Sequence, residues 1–316
     1  MLAILIVTFP FFALVLCGYL AVRRHMLPQL AIPGLNSFVL YFALPCMLYR
    51  FGSTTPLAQL LDGGVFGVYL LCGLIVVGLT VAATLRQADW NNAAFGALVA
   101  AFPNTGFMGV PLLVALLGER ASGPLIVALA VDLVLTTSLC IALSRLGGAS
   151  GQSSMAALRN ALAGMLRNPM PWAILLGALA SGLGLALPGP LNKTVGLLAD
   201  AASPVALFTI GAVLARSQMN ATQPTPASQF VPIALVKLLL HPLLVLGIGS
   251  AARAAGVPLS SSALTVLVLL SCLPSASNVA LLSERFGADT GRIARIILVS
   301  TALSFFTFSA AVALLS

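Results

Sequence analysis

Along the 316-residue chain, long apolar stretches alternate with short polar ones. The apolar runs fall at roughly 2–21, 34–50, 64–85, 92–117, 124–145, 169–187, 195–215, 230–252, 259–283 and 291–314. Each is near the ~20 residues a helix needs to cross a bilayer core. Most connectors are short and carry turn residues: RRHMLPQ, RQADWN, GERASG and PGPLNK. The longest, GGASGQSSMAALRNALAGMLRNP (147–169), is Gly/Ser-rich and then basic, and it falls near the middle of the chain. The pattern predicts an all-α polytopic membrane protein with ten transmembrane helices. Five spans lie in 1–146 and five in 169–316, joined by a cytoplasmic linker at 147–168.

The two halves echo each other. The fourth and ninth runs start at 92 and 259, and the fifth and tenth at 124 and 291, an offset of 167 in both cases. Five spans per half is an odd number, so the second half enters the membrane inverted, as in many secondary transporters.

Two runs carry residues that a membrane helix should avoid. AAFPNTGFMGVPLL (100–113) holds Pro103, Asn104, Thr105, Gly106, Gly109 and Pro111. LLSCLPSASNVALL (269–282) holds Pro274, Ser275, Ser277 and Asn278. Adding 167 to 103 gives 270, one helical turn from Pro274. Proline removes a backbone donor and clashes with the carbonyl four residues back. Unwound backbone is tolerated at membrane depth only where protein or a water-filled cavity satisfies it. Two breaks crossing near the midplane would present free N–H groups and positive helix ends to an anion or ion. Asparagine amides add donors and acceptors without the cost of a buried charge. The candidate substrate residues are therefore Pro103, Asn104, Thr105, Pro274, Ser275, Ser277 and Asn278. The alternative is that the prolines only kink two helices for packing.

Composition narrows the class further. Hydrophobic residues make up 60% of the chain and charged residues 7%, against about 25% charged in a soluble domain. The net charge of +8 reads as orientation rather than nucleic-acid binding, because no basic stretch is interleaved with exposed aromatics. Arg23, Arg24, Arg86, Arg159, Arg167, Arg216 and Arg285 lie in odd-numbered loops, with Arg145, Arg292 and Arg295 on their flanks. Arg50, Arg120, Lys193 and Arg253 lie in or beside the even ones. The bias places the odd loops in the cytoplasm and both termini outside. Cys17, Cys46, Cys72, Cys140 and Cys272 sit singly in apolar runs, without metal or redox spacing, and read as packing residues. The N-terminus lacks a basic n-region and a small-residue cleavage site, so it reads as a retained first helix.

Six segments together resemble the auxin efflux carrier family: FPNTGFMGVPLL, NSFVLYFALPCMLY (36–49), RNPMPWAILLG (167–177), ASPVALFTIGAVLA (202–215), KLLLHPLLV (237–245) and PSASNVALLSERFG (274–287). Their order and spacing cover essentially the whole chain. The resemblance implies a ten-helix fold like that of bile-acid/sodium symporters, with a scaffold of helices 1, 2, 6 and 7 and a transport domain of helices 3–5 and 8–10. It also implies helices 4 and 9 crossing at their prolines, elevator-like alternating access, and a homodimer joined through the scaffold in the cell (inner) membrane. Plant members carry a long central hydrophilic loop. The short one here is similar to that of the microbial permeases for small carboxylates.

Two ionisable residues lie deep in their runs. Asp132 is the ninth residue of its run, about 13 Å along at 1.5 Å per residue. Lys237 is the eighth of its run, and His241 follows four residues later on the same helix face. Such residues are usually functional or paired. Three roles stand open: an Asp132–Lys237 ion pair, a proton or sodium coupling group at Asp132, or an anion contact at Lys237. His241, before Pro242, reads as a packing residue, and Asp200 near the outer end of its run as solvated.

The leading reading is secondary transport of a small organic carboxylate, with no cofactor beyond a coupling proton or sodium ion. No P-loop motif is present to supply ATP drive. A sodium-coupled symporter of a larger amphipathic anion on the same fold is the alternative. An intramembrane enzyme lacks support: HExxH and GxSxG are absent, and His25 and His241 are the only histidines. A sensor or channel would differ from a carrier in measured flux.

Overall fold

A computed structural model describes residues 2–146, 169–220 and 225–315. The linker at 147–168, with Arg159 and Arg167, lies outside the described residues. The helices are α1 (Leu2–Arg23), α2 (Gln29–Thr54), α3 (Gly63–Thr84), α4 (Trp90–Ala101), α5 (Thr105–Leu117) and α6 (Glu119–Ser144). They continue as α7 (Pro169–Leu183), α8 (Gly189–Met219), α9 (Ala227–Ala254), α10 (Ser261–Ser271), α11 (Asn278–Arg285) and α12 (Thr290–Leu315). Among the described residues six helices are long and apolar enough to cross a membrane, and four more apolar helices are shorter. The fourth and ninth apolar runs are each split in two, α4/α5 and α10/α11, at the segments that carry Pro103 and Pro274. Local chemistry marks the starts of both split helices. The Asp89 carboxylate accepts from the Asn92 N–H at 2.9 Å to cap α4, and Ser260 Oγ accepts from the Ala263 N–H at 3.1 Å to cap α10.

The chain forms two compact units. The first comprises 1–62, 106–127 and 168–221. Here α1 packs along α8, and α2 along α7 and α8. The helices approach at glycines. A Cβ on Gly18 would overlap the Phe208 carbonyl oxygen, and one on Gly211 the Val15 carbonyl oxygen. In the second pair, a Cβ on Gly177 would lie 2.6 Å from the Tyr49 carbonyl oxygen, and one on Gly52 would lie 3.2 Å from the Gly177 Cα. Small residues at such crossings let backbones touch, which is how helices gain contact where no hydrophobic force separates them from lipid. Arg50 and Asp200 form an exposed ion pair at 2.7 Å. Solvent exposure limits such a pair to roughly 0–1 kcal/mol.

The second unit comprises 63–105, 128–167 and 222–316. Helix α4 lies between α3 and the later part of α6, while α9 packs on α10, α12 and α3. Its interior contains charge. Arg292, counted by sequence as a loop-flank residue, is buried at 6% exposure. Its Nε donates to the Gln229 carbonyl at 2.9 Å and its Nη1 to the Asn92 carbonyl at 3.3 Å, so it fastens the start of α12 to those of α9 and α4. A guanidinium holds several carbonyls at once, which a sequence count of loop charges does not register.

Large apolar side chains cover the outer faces of both units: Leu175, Leu176 and Leu179 on α7, and Leu239, Leu243 and Leu246 on α9. Patches this continuous suit lipid rather than water.

Candidate functional site

Within the second unit, the segments that follow α4 and α10 meet at Pro103 and Ser275. Pro103 and Ser275 pair as a single antiparallel bridge. The Asn104 N–H donates to the Pro274 carbonyl at 2.8 Å, and the Ala276 N–H to the Phe102 carbonyl at 3.0 Å. Ser275 N–H donates to Ser300 Oγ at 3.2 Å, and Thr105 N–H to the Pro103 carbonyl at 2.7 Å. The breaks were expected to expose free donors. At the crossing point itself, these four N–H groups are already satisfied: two by the opposite segment, one by Ser300 and one by Pro103 of its own segment. The polar atoms that remain belong mainly to side chains. Asn104 is buried at 4% exposure. Ser275 Oγ is buried without a partner. Thr105 Oγ1 donates to the Pro103 carbonyl at 3.3 Å. Ser277 is buried and Asn278, which opens α11, is half-buried.

The structure therefore brings Pro103, Asn104 and Thr105 together with Pro274 and Ser275, and sets Ser277 and Asn278 at the start of the next helix. The local twofold of the bridge relates Pro103 to Ser275, and hence Asn104 to Ala276. Asn104 and Asn278 therefore do not occupy equivalent positions about the bridge. Only tertiary pairing shows this, because an offset read from run boundaries carries an uncertainty of several residues.

A second buried group lies in the same unit. Asp132, 2% exposed, accepts from Tyr69 Oη at 2.8 Å and faces Thr136 Oγ1 at 3.5 Å. Lys237 and His241 are wholly buried. Lys237 Nζ donates to the Ser271 carbonyl at 2.6 Å and lies 3.3 Å from His241 Nδ1. The Tyr69 and His241 rings stand 6.2 Å apart, centre to centre. Asp132 and Lys237 make no direct ion pair among the described residues. Tyr69 holds the carboxylate and the Ser271 carbonyl holds the amine. Both charged residues sit on π-helical turns, Val131–Thr136 and Val236–Leu240, distortions that occur often at functional sites. Sequence reasoning missed Tyr69, Ser271 and Ser300. The available signal was arithmetic: 69 lies 168 before 237, close to the repeat offset.

Against known proteins, the family described as "Membrane transport protein" matches residues 3–312. The chain belongs to that family. The resemblance to auxin efflux carriers thus holds over nearly its whole length. Three relatives illustrate the breadth of the membrane transport proteins. The "Putative malonate transporter" of Rhizobium meliloti (strain 1021) is 30% identical over 307 residues, covering 94% of this chain and 91% of the relative. The "Uncharacterized transporter YfdV" of Escherichia coli (strain K12) is 28% identical over 291 residues, covering 89% and 88%. An "Uncharacterized transporter" of Methanothermobacter thermautotrophicus is 26% identical over 301 residues, covering 92% and 91%. The chain is therefore a multi-pass membrane transporter and not an enzyme.

Proposed function

We propose that this transporter is a secondary carrier of a small organic carboxylate, with a malonate-like dicarboxylate as the first candidate. It binds where the segments 103–105 and 274–278 cross, and moves by elevator-like alternating access. The observation that carries the reading is the buried, unpartnered Ser275 hydroxyl, close to Asn104 at a bridge whose own backbone groups are satisfied. A buried hydroxyl without a protein partner is costly unless a ligand or water meets it, and the Asn104 amide adds donor and acceptor capacity beside it. Asn278 and the first N–H groups of α11 offer donors for a second carboxylate oxygen. The name of the Rhizobium relative points to the same ligand class.

The reading includes ten spans in two inverted repeats, with both termini outside the cell membrane. The glycine crossings of the first unit support it. Gly18 plus 159 is Gly177, and Gly52 plus 159 is Gly211. The four close-approach glycines are thus two pairs at one offset, as duplicated crossings would leave them. The carrier is a homodimer through α1, α2, α7 and α8 in this reading.

Malonate binding to purified protein tests it. Asn104→Ala and Asn278→Ala each remove a hydrogen bond to a charged group, worth about 1.5–3 kcal/mol. Affinity should fall roughly tenfold or more, at 1.4 kcal/mol per decade. If both variants bind as the parent does, the crossing is a packing kink and not the substrate site.

A further inference from the structure

We infer that the ammonium of Lys237 serves as a tethered cation at the end of α10, in the place where a carrier of this plan would otherwise hold a coupling metal ion. Broken membrane helices use the carbonyls of their C-terminal stubs to coordinate cations. In α10 that carbonyl belongs to Ser271. In a continuous helix it would accept from the N–H of residue 275, or in a tighter turn from that of residue 274. Residue 274 is proline and has no N–H, and the Ser275 N–H is taken by Ser300 Oγ at 3.2 Å. The Ser271 carbonyl is left with Lys237 Nζ at 2.6 Å, on a side chain with no exposure. The helix end also favours positive charge there.

The neighbours accept from a donor at this position. An ammonium has three donors and no acceptor, so His241 Nδ1, at 3.3 Å, faces it as a lone pair and the ring proton rests on Nε2. The Asp132 carboxylate of α6 is held by Tyr69 Oη of α3 at 2.8 Å and not by the amine. Cys272, next to Ser271, is the remaining titratable neighbour. The amine and the carboxylate then share the interior without touching. The consequence is that the cation moves with the protein and is not taken from solution at this position. The inference rests on the transport reading for that consequence alone.

Melting temperatures of the full-length purified protein test it without any substrate, so absence of malonate binding would count against the transport reading only. The parent should melt alike in sodium and in choline chloride. Lys237→Ala should melt several degrees lower, and ethylammonium should restore much of the loss. Tetramethylammonium, which has the charge but no N–H, should not. Lys237→Gln, a neutral donor, should also melt below the parent. A sodium-specific stabilisation of the parent would overturn the inference, as would a Gln variant that melts with the parent or an Ala variant indifferent to ethylammonium. If Lys237→Ala does not fold, the parent's response to sodium and the Gln variant decide.

Discussion

The two units of this transporter bury different things. In the first, the buried polar side chains among the described residues are the hydroxyls of Thr55, Ser122 and Thr209. In the second they include Asn104, Asp132, Lys237, His241 and Arg292. The first unit gains its contact by letting backbones touch at Gly18, Gly52, Gly177 and Gly211. The second spends its interior on polar groups around two interrupted helices. Hydroxyls return their bonds to their own helix and cost little inside a membrane protein. Charges and amides at that depth are expensive and mark sites of ion or substrate handling. The contrast teaches two ways of packing in a membrane protein: one unit gains contact by close backbone approach, the other holds charges and amides in its interior.

Substitutions can break this contrast, and the largest effect belongs to the first unit. Gly211→Leu drives a side chain into the Val15 carbonyl, an atom that cannot yield without moving α1. Overpacking commonly costs about 1–3 kcal/mol and more where backbone is the obstacle. The expected outcome is loss of monodisperse protein on size exclusion. Gly196→Leu on the same helix, where a Cβ meets nothing within 4 Å, should purify normally. Equal behaviour of the two variants would remove the close approach as the basis of the first unit.

Next in size is the buried group of the second unit. Tyr69→Phe deletes the 2.8 Å donor to Asp132 and leaves a buried carboxylate short of a partner. Such a loss costs about 1–3 kcal/mol, more for charged groups. The melting temperature should fall clearly, and more than for Tyr19→Phe, whose hydroxyl bonds Gln218 in an exposed setting of the first unit. A Tyr69→Phe variant as stable as Tyr19→Phe would mean that Asp132 does not depend on that bond.

The smallest effect is a topological one, with no stability change expected. In a background without the five native cysteines, a cysteine at exposed Arg120 should react with an impermeant maleimide added to cells. One at exposed Gln87 should react only after lysis. The opposite pattern would invert the proposed orientation of both units.

Much of the architecture was open to a reader of the sequence. The apolar runs marked an all-helical membrane protein, because the bilayer sets the length and composition of its helices; among the described residues, six of those helices are long enough to span by themselves. Proline at 103 and 274 located the two breaks, because a missing N–H interrupts a helix whatever surrounds it. The depth of Asp132, Lys237 and His241 singled them out, because charge is rare there. Partnership was not legible. Nothing local in the chain says that Asn104 N–H meets the Pro274 carbonyl, that Tyr69 holds Asp132, that Lys237 reaches Ser271 and not Asp132, or that Arg292 turns inward. Those pairings join residues between 34 and 200 positions apart in the chain. Hydrophobic periodicity and helix propensity act over a few turns, whereas hydrogen-bond partners across helices are chosen by packing, which only the tertiary structure decides.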